Sequence, residues 1–166
     1  MKTNFKELQS IQEEVNEVVN ARLIQNDLDL PDPMHYLIAM HVEFFEFINA
    51  VGTFKFWKHN HKLDKERILD ELADVMAFFL SIGKITDNID VIISDTEAEL
   101  AEYDTLAIIR SVSAAIQTGE ETATDSILMG IAIEIARREV NATWEEIVEA
   151  YKKKSAENIA RQERGY

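Results

Sequence analysis

Apolar residues recur every third or fourth position along most of the chain, and this period limits the fold more than any other feature. Phe5, Leu8, Ile11, Val15, Val18, Val19 and Leu23 predict a helix over about Asn4 to Gln25. Asn26 to Pro33 reads as a loop, with Asp32 as an N-cap and Pro33 in the first turn of a second helix. That helix runs to about Val51 through Leu37, Ile38, Phe44, Phe45, Phe47 and Ile48, and Gly52 ends it. Asp64 can cap a third helix through about Ile82, whose stripe is Ile68, Leu69, Leu72, Val75, Met76, Phe79 and Leu80, with Gly83 as its stop. Residues 84–102 fit two readings: Val91-Ile-Ile suits a short strand or a helix, and scarce glycine favours the helix. Further helices are expected over about Tyr103 to Gln117, stopped by Gly119, over Thr124 to Val140, and from Thr143 to Glu163. The last opens on Thr143-Trp-Glu-Glu146, a capping box. With 5 glycines and 2 prolines in 166 residues, the turn chemistry of a sheet protein is missing. The expected fold class is an all-α helical bundle, one domain over residues 1–166.

Other classes drop out on composition. No run of about 18 apolar residues is present, so no membrane span is expected. The opening Met1-Lys-Thr-Asn-Phe-Lys lacks the apolar stretch of a secretory signal. Without cysteine there is no disulfide, thiolate metal site or cysteine nucleophile. A cytoplasmic protein is the expectation. The formal charge of -14 repels nucleic acid and anionic membranes, so neither is expected as a partner.

The acids carry the first chemical signal. Glu43 and Glu46 are three apart on the second predicted helix, and Glu71 and Asp74 are three apart on the third. That spacing puts each pair on one helix face. Both pairs sit among apolar residues, where an unpaired carboxylate is costly. Packed together, the two helices would gather four carboxylates, whose repulsion a hard divalent cation such as magnesium or manganese offsets. Such a cation orients a polyphosphate and acidifies a bound water, and a nearby carboxylate can take the water's proton. Spacing alone also admits a plain solvated face.

A second signal lies at the basic end. Lys154, Asn158 and Arg161 follow at i, i+4 and i+7 on the last predicted helix, offering an ammonium, an amide and a guanidinium to one phosphate chain. The same cations also suit the negative end of a helix dipole.

Four motifs taken in order resemble a known family. Glu43-Phe-Phe-Glu46, Phe54-Lys-Phe-Trp-Lys58, Glu71-Leu-Ala-Asp74 and the ending Asn158-Ile-Ala-Arg-Gln-Glu-Arg-Gly-Tyr166 look like those of the dimeric all-α dUTPases. These belong to the all-α NTP pyrophosphohydrolase superfamily that includes MazG, which implies a metal-binding four-helix core within the bundle. The ending also resembles the dCTP pyrophosphatase/dUTPase of tailed phages, which implies a bacterial or phage-infected cytoplasm. The resemblance implies hydrolysis of dUTP, and often dUDP, to dUMP, with pyrophosphate released from the triphosphate. It implies two or three magnesium ions, replaceable by manganese, on Glu43, Glu46, Glu71 and Asp74, with Glu43 and above all Glu46 activating the water. It implies phosphate contacts from Lys154, Asn158, Arg161 and Lys58, and base contacts from Gln12, Asn20 and Trp57. Without it, Gln12 and Asn20 read as ordinary helix surface and Trp57 as core packing. It also implies a homodimer, and some phage relatives bind a repressor protein, a role that this sequence does not display.

Two positions depart from the family's pattern. Ala50 stands where relatives often carry glutamate, and Ala77 stands where many carry histidine near the sugar. Base preference therefore rests on less than the metal chemistry does. The alternatives are a dCTP or mixed dCTP/dUTP pyrophosphatase, a broader house-cleaning NTP pyrophosphohydrolase, and a non-enzymatic helical interaction module. A di-iron bundle would pair its acids with Glu-x-x-His motifs, and His35, His41, His59 and His61 lie at other offsets.

Overall fold

In a computed structural model, residues 4–60, 62–82, 89–118 and 124–165 are described. They form α1 (Phe5–Gln25), α2 (Pro33–Val51), α3 (Lys65–Ser81), α4 (Ile89–Leu100), α5 (Thr105–Thr118), α6 (Thr124–Val140) and α7 (Trp144–Glu163), with no strand among the described residues. The fold class is all-α, as the apolar period requires.

The helix ends follow local chemistry. Asp32 accepts from the His35 N–H, the His35 ring closes a reciprocal capping box, and Pro33 occupies the first turn. Asp64 accepts from the Arg67 N–H, and Thr143 and Glu146 form the expected capping box. Gly52 terminates α2 at φ 65°, a left-handed conformation that glycine adopts without a Cβ penalty. The open stretch is helical from Ile89 to Leu100. The expected stops at Gly83 and Gly119 lie outside the described residues. α5 begins two residues later than Tyr103, because the Asp104 carboxylate accepts from the Ala107 N–H at 2.8 Å and sets the first turn.

Two helices form the centre. α3 packs against α1, α2, α6 and α7, and its buried set (Ile68, Leu72, Ala73, Val75, Met76, Ala77, Phe79, Leu80) covers most of its circumference. α6 is buried continuously from Leu128 to Ala136 and carries α4 and α5 on its outer side. Each fully buried Leu, Ile or Phe contributes about 1.5–3 kcal/mol relative to exposure. Gly130 lets α4 approach closely, since a Cβ there would lie 3.1 Å from the Thr96 hydroxyl. α1 and α7 run side by side in the same direction: Asn4 meets Trp144, Leu8 and Gln12 meet Tyr151, and Arg22 reaches Gly165. No helix among the described residues is long and apolar enough to cross a membrane.

α2 has two apolar faces. Met40, Phe44, Phe47, Ile48 and Val51 are buried. Met34, Ile38, Val42 and Phe45, spaced four, four and three apart, form a stripe that remains 41–57% exposed.

Candidate active site

α2 packs more extensively against α3 than any other two helices pack together, and their acids meet along this seam. Carboxylate oxygens of Glu43, Glu46 and Glu71 all lie within 4.8 Å of one another. The buried side chains Phe44, Phe47, Leu72 and Val75 fix the helices beneath them. Glu43 is half-buried, and its pKa is pushed up to about 7 by burial first, then by the charges of Asp74, Glu46 and Glu71, against an opposing pull from Lys154. The site therefore holds more negative charge than its surroundings solvate well. The donors are all carboxylate oxygens, the set that hard divalent cations favour, so the residues present fit such an ion. Arg67 contacts Glu71 at 3.5 Å from the outer edge.

Asp74, the fourth acid, borders this group but is engaged differently. Lys154 Nζ lies 2.6 Å from Asp74 Oδ2 and 2.8 Å from Asp70 Oδ2. Burial raises the Asp74 pKa, and Lys154 works against that rise. Burial also acts to lower the Lys154 pKa, but the two carboxylates outweigh it and the ammonium is raised above its ordinary value. Only 14% of the Lys154 side chain is exposed.

The other expected phosphate contacts are spread along two segments. Asn158 and Arg161 lie one and two turns beyond Lys154 on α7, both partly buried, with Arg161 Nε donating to Glu157 at 3.3 Å. Lys58 is exposed in the loop after α2. Lys55, in the same loop, donates to the Asn49 carbonyl at 2.7 Å, and burial lowers its pKa, with Lys58 and Arg67 adding to the effect.

The expected base contacts occupy unlike settings. Gln12 is 4% exposed, so it is not helix surface. Its Oε1 lies 3.0 Å from the Tyr151 hydroxyl and its Nε2 3.0 Å from Asn16 Oδ1, which in turn lies 3.0 Å from Ser81 Oγ. Asn20 Oδ1 is buried without a hydrogen-bond partner. Trp57 is 58% exposed and therefore not core; it meets Phe54 and Phe56 edge-on at 6.0 and 5.1 Å.

Four participants escape sequence reasoning: Asp70, Asn16, Ser81 and Tyr151. Asp70 is adjacent to the second acid motif, but nothing in the sequence pairs it with Lys154, 84 residues away. Asn16 is i+4 from Gln12 on α1, a helical-neighbour signal that was available. Tyr151 and Ser81 are hydroxyls on apolar stripes, where pattern alone reads them as core.

No curated protein matches the chain. The family model described as dUTPase matches residues 4–166, a span that includes both acid pairs, the aromatic-basic loop and the basic end of α7. The chain thus belongs to the dUTPase family, whose members are nucleoside triphosphate pyrophosphohydrolases.

Proposed function

We propose that the chain hydrolyses dUTP, and dUDP as well, to dUMP in a magnesium-dependent reaction that releases pyrophosphate from the triphosphate. The observation that carries this reading is the gathering of Glu43, Glu46 and Glu71 within 4.8 Å, with Asp74 and the Lys154 ammonium at the rim. Carboxylates crowded at this density favour a divalent cation, and a cation beside a lysine favours a polyphosphate.

Glu43, Glu46, Glu71 and Asp74 would hold two or three magnesium ions, or manganese in their place. Bound there, the metal supplies positive charge against the polyphosphate and acidity to water. Glu46, the exposed member of its pair, accepts the water's proton, with Glu43 beside it. The water oxygen bonds to phosphorus, the α–β anhydride bond breaks, and pyrophosphate departs with the electron pair. Lys154, Asn158, Arg161 and Lys58 bind the phosphates. The amides of Gln12 and Asn20 read the base edge and Trp57 stacks on its face; a buried acceptor without a partner at Asn20 and an exposed indole at Trp57 support these roles.

The assembly is a homodimer, acting in the cytoplasm. The exposed stripe Met34, Ile38, Val42 and Phe45 supports self-association, because contiguous apolar faces of this kind mark association surfaces.

The deciding experiment is turnover of a panel of deoxynucleoside triphosphates by purified protein with magnesium and with chelator. Selective, magnesium-dependent release of pyrophosphate from dUTP is expected. Equal rates on all triphosphates would refute the base assignment, dominance of dCTP would move it to cytosine, and turnover unaffected by chelator would refute the metal assignment.

A further inference from the structure

Lys154 contacts two carboxylates, and only one of them belongs to the expected metal-binding set. Asp74 lies 2.6 Å from the ammonium and Asp70 2.8 Å. The two acids are four apart on α3, so they stand one above the other on one helix face with Lys154 of α7 between them. Their settings differ: the Asp74 side chain is 20% exposed and the Asp70 side chain 57%. Asp70 also lines an open groove of about 510 Å³ between α3 and α7, and it is not one of the three acids whose oxygens gather within 4.8 Å.

This geometry creates a competition. Asp74 cannot give its charge fully to a divalent cation while Lys154 holds the same carboxylate. Lys154 in turn must not be released into solvent, because its use is to meet phosphate at the rim of the site. We propose that Asp70 is a positioning residue: it retains Lys154 at the rim when a divalent cation takes Asp74, and so eases both cation entry and phosphate binding. The idea rests on the functional reading above and adds to it a residue and a role. Asp70 contacts neither phosphate nor metal and acts through Lys154 alone.

That last condition separates the proposal from a general electrostatic effect. Any acid near a cation site strengthens it, with or without Lys154. An acid that works by retaining Lys154 matters only while Lys154 is present. The test is therefore a double-mutant cycle on the full chain with Asp70→Asn, Lys154→Gln and both together. Magnesium and manganese affinities are measured by calorimetry without nucleotide, and KM and kcat with dUTP. Asp70→Asn should weaken cation binding by roughly three- to tenfold and raise KM by a similar factor, with kcat within about twofold of wild type. Lys154→Gln should tighten cation binding by freeing Asp74, while raising KM. In the Lys154→Gln background, Asp70→Asn should alter neither quantity by more than about twofold. Asp70→Glu should restore most of the wild-type behaviour.

An equal loss of cation affinity in both backgrounds would overturn the proposal, as would an Asp70→Asn protein with unchanged affinity and KM. These failures occur with an active wild-type protein. A wild-type protein that neither binds a divalent cation nor turns over dUTP would instead overturn the functional reading beneath it.

Discussion

Replacing Tyr151 by phenylalanine tests how the interior between α1 and α7 is held. Tyr151 is fully buried, and its hydroxyl lies 3.1 Å from the Leu8 carbonyl and 3.0 Å from Gln12 Oε1. Phenylalanine keeps the ring, so no large cavity opens. What is lost is the hydroxyl partner of Gln12 Oε1, on a residue that is only 4% exposed. A buried polar group left unsatisfied costs about 1–3 kcal/mol. For a chain of this size each kcal/mol lowers Tm by roughly 2–4 °C, so a fall of about 2–12 °C is expected. Urea unfolding should show a lower midpoint at an unchanged m-value. Burial pushes the Tyr151 pKa up to about 12 from an ordinary 10.0. Because the folded value is the higher one, ionisation above 10 favours the unfolded wild type. The stability gap between wild type and variant should therefore be flat through neutral pH and shrink only above pH 10. Freed from the hydroxyl, the Gln12 amide should also read the base less strictly, narrowing the preference for dUTP over dCTP. A variant as stable and as selective as wild type would refute the idea that this hydroxyl anchors Gln12.

Three other perturbations probe separate parts of the molecule. Glu71→Gln should lower kcat by at least about a hundredfold without loss of helical circular dichroism, and wild-type turnover in this variant would contradict the carboxylate chemistry. Ile38→Glu places a charge in the exposed stripe of α2 and should shift the protein towards monomer in light scattering; an unchanged mass would remove α2 from the interface. Glu146→Gln keeps a capping-box side chain but loses the ion pair with Lys65 at 2.6 Å. Hydrogen bonding from Lys65, followed by that from the Thr143 backbone, holds the Glu146 carboxyl below its ordinary 4.5. A depressed carboxyl pKa stabilises the fold above the unfolded value, and this is lost as pH falls through the folded one. The variant should be less stable than wild type at neutral pH and equal to it well below pH 4.5; a deficit independent of pH would count against the ion pair.

Much of this protein is written locally. A helical period needs only neighbours three and four residues apart, so α1, α2, α3, α6 and α7 are legible from sequence, as are the caps at Asp32, Asp64 and Thr143 and the left-handed stop at Gly52. The pairing of Glu43 with Glu46, and of Glu71 with Asp74, is equally local. Where short-range signals compete, legibility falls: Val91-Ile-Ile suits strand and helix alike, and tertiary packing on α6 accompanies the helical outcome.

Other features depend on which helices lie side by side, and no local period encodes that. The packing of α2 on α3 brings Glu43, Glu46 and Glu71 together and raises the Glu43 pKa, through burial first and then the charges of Asp74, Glu46 and Glu71. The approach of α7 delivers Lys154 to Asp70 and Asp74, and Tyr151 to Gln12, across more than 80 residues of sequence. It also turns Gln12 from apparent surface into a buried, bonded amide, while Trp57 stays outside the core among exposed rings. The sequence by itself determined the helices, their ends and the spacing of the acids, because those depend on backbone geometry over one or two turns. Only the tertiary structure decided which charges meet, since electrostatic interaction and desolvation depend on distance through space and on burial rather than on separation along the chain.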